Sequence, residues 1–197
     1  MPSPTSARAG STCAGKRTRC FEAVVRPSPA EAQCLNAFDH YPDPSSVSRI
    51  DELRIATAAI VHDPRGRILL QKRADNGHWG LPGGLLEKGE SLAAGVAREV
   101  LEETGLNVEV ERVTGVYSDP AHRMLVRFPE GKVAHYVVIT FACRIVGPVR
   151  EPLASAHDAE TDALGWFELG NLPAPLVPSH RLRIADYAQG DAAAAIR

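Results

Sequence analysis

Apolar and polar positions divide the chain into a first quarter without sustained periodicity and a strongly patterned remainder. Residues 55–61 form a near-continuous apolar run that predicts a buried strand. Asp63-Pro64-Arg65-Gly66 supplies a turn, and residues 68–70 supply the returning strand. Leu81-Pro82-Gly83-Gly84 opens an irregular segment after a loop containing Gly77 and Gly80. Residues 91–104 carry helical periodicity, with Ser91 as N-cap and Gly105 where a left-handed residue ends helices. Residues 108–116 and 136–146 read as long strands, the second rich in β-branched and aromatic residues. Pro129-Glu130-Gly131-Lys132 forms a hairpin-like turn before it, residues 163–168 a last strand, and residues 179–189 a closing helix. Strands on both sides of a helix, without regular βαβ alternation, predict an α+β fold with a mixed sheet.

Composition adds limits. The 22 basic and 24 acidic residues leave a net charge of −2, so no basic stripe for nucleic acid is expected. No run of 18 apolar residues predicts a membrane span, and no apolar h-region marks a secretory leader, so a cytoplasmic protein is expected. Residues 1–50 are rich in Ser, Pro, Ala and Arg, and are read as a disordered N-terminal arm. Residues 51–190 are read as one folded domain and 191–197 as a tail. Cys13, Cys20, Cys34 and Cys143 lack paired metal-ligand spacing and are expected as free thiols.

The chemistry concentrates on the central helix. At about 100° per residue with Glu99 at zero, Glu103 falls near about 40° and Glu102 near about −60°. Three carboxylates therefore share one sector, beside a stripe of Leu92, Ala93, Val96, Ala97, Val100 and Leu101 expected to face the core. Gly95 lies one turn before Glu99, where its missing side chain is expected to leave open space over the carboxylates. Two carboxylates about 5–6 Å apart repel by roughly 3 kcal/mol at an effective dielectric of about 20, so this sector needs counter-charge. Arg98, one turn before Glu102, can neutralise one of them. The remainder suits a hard divalent cation such as Mg²⁺, which combines a few carboxylates with water and substrate phosphates.

Gly84, five residues, Glu90, seven residues, then Arg98-Glu99-Val100-Leu101-Glu102-Glu103-Thr104-Gly105-Leu106 resembles the Nudix box of the Nudix hydrolases without departure. Seven fixed identities coincide by chance at about 10⁻⁹ per start position. Weaker features extend the likeness over residues 54–175: an Arg-led strand, Gly-His-Trp-Gly-Leu-Pro-Gly-Gly before the box, and Glu160, Trp166-Phe167 and Leu172-Pro173 after it. The resemblance implies an α/β/α sandwich around a mixed sheet. It also implies hydrolysis of a nucleoside diphosphate linked to another moiety, with Mg²⁺ or Mn²⁺ required. Carried over to this chain, it makes Glu99, Glu102 and Glu103 the metal ligands, with the Gly84 carbonyl added. It also pairs Arg98 with Glu90, whereas the helical wheel offers Arg98 to Glu102, and the choice stays open at this stage. The general base is Glu102 or Glu103, or else Glu160 outside the box.

Arg54, Lys72 and Arg73 stand at strand positions from which a pyrophosphate can be reached, and Arg binds such groups through two parallel hydrogen bonds. Trp79 is a candidate to stack a base or ribose, and His122 with Arg123 a candidate for the terminal moiety. Trp166 and Phe167 are expected in the core. Markers for coenzyme A, NADH and diadenosine polyphosphate substrates are missing, and Pro120 is out of register for the ADP-ribose marker. Elimination favours ADP-ribose or nucleotide-sugar substrates over oxidised or ordinary nucleoside triphosphates. A non-catalytic nucleotide-binding module is a third reading, disfavoured by the intact box and the short stretch after Pro178. A homodimer is expected by analogy alone.

Overall fold

A computed structural model of the chain describes residues 40–147, 160–190 and 193–197. Cys13, Cys20, Cys34 and most of the expected arm lie outside these residues. Eight strands alternate with two helices: β1 (Glu52–His62), β2 (Ile68–Arg73), β3 (Trp79–Gly80), α1 (Leu92–Thr104), β4 (Val108–Tyr117), β5 (Leu125–Arg127), β6 (Val133–Ile145), β7 (Thr161–Phe167), α2 (Pro178–Ala188) and β8 (Ala195–Ile196). The sheet runs β3-β2-β1-β6-β4-β8, with β5 on β6 and β7 on β2. β1 lies parallel to β6 and β8 parallel to β4, while the other pairs are antiparallel. The expected α+β fold with a mixed sheet is what forms.

Alternation along β1 explains the layering, because successive strand residues point to opposite faces. Ala56, Ala58 and Ile60 join Ile68, Leu70, Tyr117 and Val138 in a core closed by Ile184 of α2. Ala59 and Val61 join Leu69, Phe141 and Cys143 in a second core closed by Val96 and Val100 of α1. Trp166 packs against the α1 side and Phe167 against the α2 side, so both are core residues as expected. Cys143 is free and buried, and desolvation pushes its thiol up to about 12, which makes it chemically inert.

Helix α1 begins and ends where its caps predict. Ser91 accepts the Ala94 N–H at 3.2 Å, and Gly105 adopts φ 70°. Its buried face, however, is rotated from the expected stripe. Leu92 and Leu101 are exposed, whereas Gly95, Val96, Val100, Glu103 and Thr104 are buried. The helix thus turns one carboxylate inward, among partners described below.

Short, polar or composition-poor segments escaped the sequence pattern: β3, β5, β8 and the 3₁₀ turn at Pro120–His122. Residues 40–50, assigned by composition to the arm, contribute His40 and Tyr41 to the main cleft, and the Tyr41 hydroxyl accepts from Asn76 Nδ2 at 3.3 Å. Residues 195–196, assigned to the tail, extend the sheet as β8. Among the described residues no helix is long and apolar enough to cross a membrane.

Candidate active site

The site forms where an irregular segment is pressed between β1 and α1. Pro82 and Gly84 accept the N–H groups of Ala59 and Thr57 at 2.8 and 2.9 Å, and Ile55 accepts that of Leu86 at 3.1 Å. Glycine is required at Gly83, and at Gly84 it makes room for a side chain of α1. Gly83 has φ 142°, and a Cβ there would lie 2.3 Å from the Thr57 carbonyl oxygen. A Cβ on Gly84 would lie 2.6 Å from the Glu99 carboxylate. The absent side chain of Gly84 is therefore the cradle in which Glu99 rests.

Glu103 is the inward carboxylate. Its oxygens accept from Gln71 Nε2 at 2.9 Å and from the Gly83 N–H at 2.8 Å. Thr161 in turn donates its hydroxyl to Gln71 Oε1 at 2.9 Å, linking β7, β2, α1 and the glycine segment in one chain of hydrogen bonds. Arg98 answers the question left open by the sequence by serving both partners and a third. It donates from Nε to Glu90 Oε1 at 3.0 Å and from Nη2 to Glu90 Oε2 at 3.2 Å. Nη1 reaches Glu99 Oε1 at 2.9 Å and Glu102 Oε2 at 3.1 Å. The planar fork permits this; a single ammonium would not bridge three carboxylates so placed. The space over Gly95 is not open, contrary to expectation. A Cβ there would meet Glu90 Oε2 at 2.9 Å and Leu86 Cδ1 at 3.1 Å, so this glycine seats the Glu90 carboxylate that holds Arg98.

Electrostatics follow from this packing. Burial raises the Glu99 carboxyl above its ordinary value; Arg98 opposes the rise, and the charges of Glu102 and Glu160 add to it. Arg98 lowers the Glu90 carboxyl, while Glu90 holds the guanidinium above its usual range.

A cleft of about 990 Å³ opens beside these groups. Glu99, Glu103, Glu160, Gly84, Arg54 and Arg73 all line it, so the structure brings these predicted residues together. Arg54 donates to Glu52 Oε1 at 2.7 Å and to the Tyr136 hydroxyl at 3.3 Å, with its guanidinium 4.6 Å from the Phe128 ring centre. Arg73 makes a two-bonded pair with Asp75 at 3.0 and 2.8 Å. Glu102, Glu90 and Arg98 stand outside the lining, with Glu102 at the exposed rim. Lys72 turns away to Asp162 at 3.0 Å. Trp79 does not face the cleft, because its ring packs edge-on against Phe167, 5.0 Å between centres. His122 ends the 3₁₀ turn outside the cleft, and the neighbouring Arg123 lines it instead. The pattern missed Gln71, Tyr136, Tyr41, His180 and Arg183, which single positions in a strand, an arm and a helix do not advertise.

A family model described as NUDIX domain matches residues 52–187. The chain belongs to the Nudix family. As a Nudix hydrolase it acts on pyrophosphate bonds, in a family that typically depends on divalent metal. It is 39% identical over 124 residues to an "ADP-ribose pyrophosphatase" of Methanocaldococcus jannaschii, covering 61% of this chain and 65% of that one. It is 34% identical over 131 residues to a "Putative 8-oxo-dGTP diphosphatase" of Bacillus subtilis, covering 66% and 77%. The crystal structure of a MutT NUDIX hydrolase from Burkholderia pseudomallei superposes with a TM-score of 0.54 at 30% identity, over 69% of this chain and 98% of that one.

The Nudix site fits a hard cation in donor chemistry: carboxylate oxygens and a backbone carbonyl, with Glu99 laid against the bare Cα of Gly84. Among the described residues no three acidic, His or Cys side chains converge as a closed cage, since Arg98 draws Glu99 and Glu102 toward itself.

Two substitutions test this balance in metal-free protein. Arg98→Ala leaves three carboxylates without their common partner, and a lowered melting temperature, by about 3–8 °C at pH 7, is expected. Glu99→Gln acts the other way. A carboxyl whose folded pKa is raised loses stability as pH climbs through that value, so the amide should melt higher than wild type at pH 7. The difference should vanish below the ordinary carboxylate range, which thermal melts across pH will check.

Proposed function

We propose that this Nudix hydrolase cleaves the diphosphate of ADP-ribose or nucleotide-sugar-like substrates. The observation that carries the reading is a large cleft whose own charges balance. Arg54, Arg73, Arg123 and Arg183 face Asp75, Glu99, Glu103 and Glu160 around it. A nucleoside triphosphate brings roughly twice the charge of a diphosphate diester, and the cleft wall offers no surplus of cations to receive it. The volume also matches a ligand with a sugar-bearing group at each end of the diphosphate. Arg54 with Phe128 and Tyr136 provides an arginine–aromatic position on β1, and Arg73 of β2 lines the same cleft. The 39% identity to the archaeal ADP-ribose pyrophosphatase agrees with this choice.

Glu99, Glu102, Glu103 and the Gly84 carbonyl are the residues that would hold Mg²⁺ or Mn²⁺. When bound, such an ion supplies charge neutralisation for the diphosphate and acidifies water. Arg54 and Arg73 orient the diphosphate. Glu160 lines the cleft, and its charge is felt by both Glu99 and Arg73, which suits it to take the proton of the attacking water. Gln71 and the Gly83 N–H hold the Glu103 carboxylate, and with it the glycine segment, beside the other donors. Glu90 and Arg98 position Glu99.

Hydrolysis should be compared with Mg²⁺ or Mn²⁺ across ADP-ribose, nucleotide sugars, dinucleotides and 8-oxo-dGTP. Release of AMP and ribose 5-phosphate at the highest kcat/KM is the expected result. A tenfold or greater preference for 8-oxo-dGTP, named in the Bacillus relative, would replace the proposal. Tight nucleotide binding without turnover of any substrate would make the domain a sensor. Glu103→Gln should lower kcat by roughly 10² or more while the fold survives. Its amide can accept from Gly83 and donate to a flipped Gln71, whose own amide then donates to Thr161. Near-wild-type turnover of this variant would remove Glu103 from the machinery.

A further inference from the structure

Arg183 of α2 is only 3% exposed, yet it borders the cleft. Its hydrogen bonds both leave from Nη2, to Ser179 Oγ at 3.1 Å and to Met124 Sδ at 3.8 Å. Among the described residues the buried Nε meets no acceptor. The guanidinium lies 5.7 Å from the centre of the Tyr117 ring, and among the described residues no carboxylate pairs with it. The other cleft arginines each have an anion: Glu52 for Arg54, Asp75 for Arg73 and Asp43 for Arg123. A buried charge with an orphaned donor is costly unless a ligand completes it.

Two further features open on the same space. Helix α2 starts at Pro178 without a side-chain cap, and Val177, Ser179 and His180 line the cleft, so the positive end of the helix dipole faces it. His180 accepts the Leu81 N–H on Nδ1 at 2.8 Å, which leaves its proton on Nε2. Burial first, then the charges of Arg183 and Arg73, keep this imidazole neutral. A neutral acceptor in the cleft would leave the guanidinium charge uncompensated, whereas an anion supplies the opposite charge as well.

We infer that the α2 end of the cleft is an anion subsite, formed by Arg183, Ser179 and the first turn of α2, for a phosphate or carboxylate carried on the moiety beyond the diphosphate. The inference rests on the reading of the cleft as the substrate site.

Inorganic phosphate is titrated calorimetrically into the metal-free wild-type, Arg183→Met and Arg183→Lys proteins, each checked for its melting transition. Phosphate should bind the wild type, bind the Met variant roughly 30-fold more weakly, and bind the Lys variant at an intermediate strength. In the second arm, nucleoside diphosphate sugars with and without a terminal phosphate compete for hydrolysis. The wild type should prefer the phosphorylated member by roughly tenfold, and the ratio should fall towards unity in the Met variant. Equal phosphate binding by wild type and Met variant, or none by either, overturns the subsite. Phosphate binding without substrate preference overturns the assignment to a substrate end group and identifies a free anion as the occupant. If neither sugar is cleaved, the cleft reading fails while the titration still decides the subsite. Should the Met variant not fold, Ser179→Ala takes its place. Weaker phosphate binding by that variant supports the subsite, and unchanged binding overturns it.

Discussion

Close approach of backbone to backbone, and of backbone to carboxylate, is the constraint on which the site depends. The glycine segment runs along β1 through hydrogen bonds to Thr57 and Ala59, at a distance that no side chain on Gly83 would permit. Gly84 meets Glu99 just as tightly from the other side. Sheet, segment and helix are thereby fixed relative to one another, and Glu99 and Glu103 of α1 line a cleft walled in part by β1 and β2. Gln71 and Thr161 tie the same segment to β2 and β7, so the sheet, α1 and the glycine segment contribute to one polar cluster.

Charge then sets the character of that cluster. One guanidinium serves three carboxylates, while a fourth carboxylate, Glu103, is held by neutral donors. Arg98 lowers Glu90 but fails to offset the burial of Glu99, which stays above its ordinary value. The protein thus places an incompletely compensated negative charge beside the cleft and a positive one, Arg183, at the far helix. The proposed ligands follow this separation: a cation for the first place and an anion for the second.

Much of this was legible in the chain itself. The apolar run of β1, the caps of α1 and the spacing of the acidic residues each rest on local physics, and each stands in the structure where the pattern put it. The rotation of α1 was not legible, because a helical wheel ranks side chains by polarity. It does not see Gln71 and the Gly83 N–H waiting to satisfy a buried Glu103. Gly95 misled for a related reason: the wheel shows a gap but not Glu90, which folds back from the preceding turn to fill it. Trp79 looked like a stacking platform until its partner Phe167, remote in sequence, appeared beside it. Arg183 sits in a helix of mixed polarity, flanked by Leu182 and Ile184, and only the fold reveals that its charge has been taken indoors.

Gly80 closes the short strand β3. A Cβ there would stand 2.9 Å from His180 Nδ1, and the atom after it in the chain, the Leu81 nitrogen, is bonded to that same ring. Helix α2 is thereby latched to the strand that feeds directly into Pro82, Gly83 and Gly84. The two ends of the cleft share a mechanical link only a few residues long. Whatever steadies α2 also stiffens the glycine segment and, through it, the seat of Glu99.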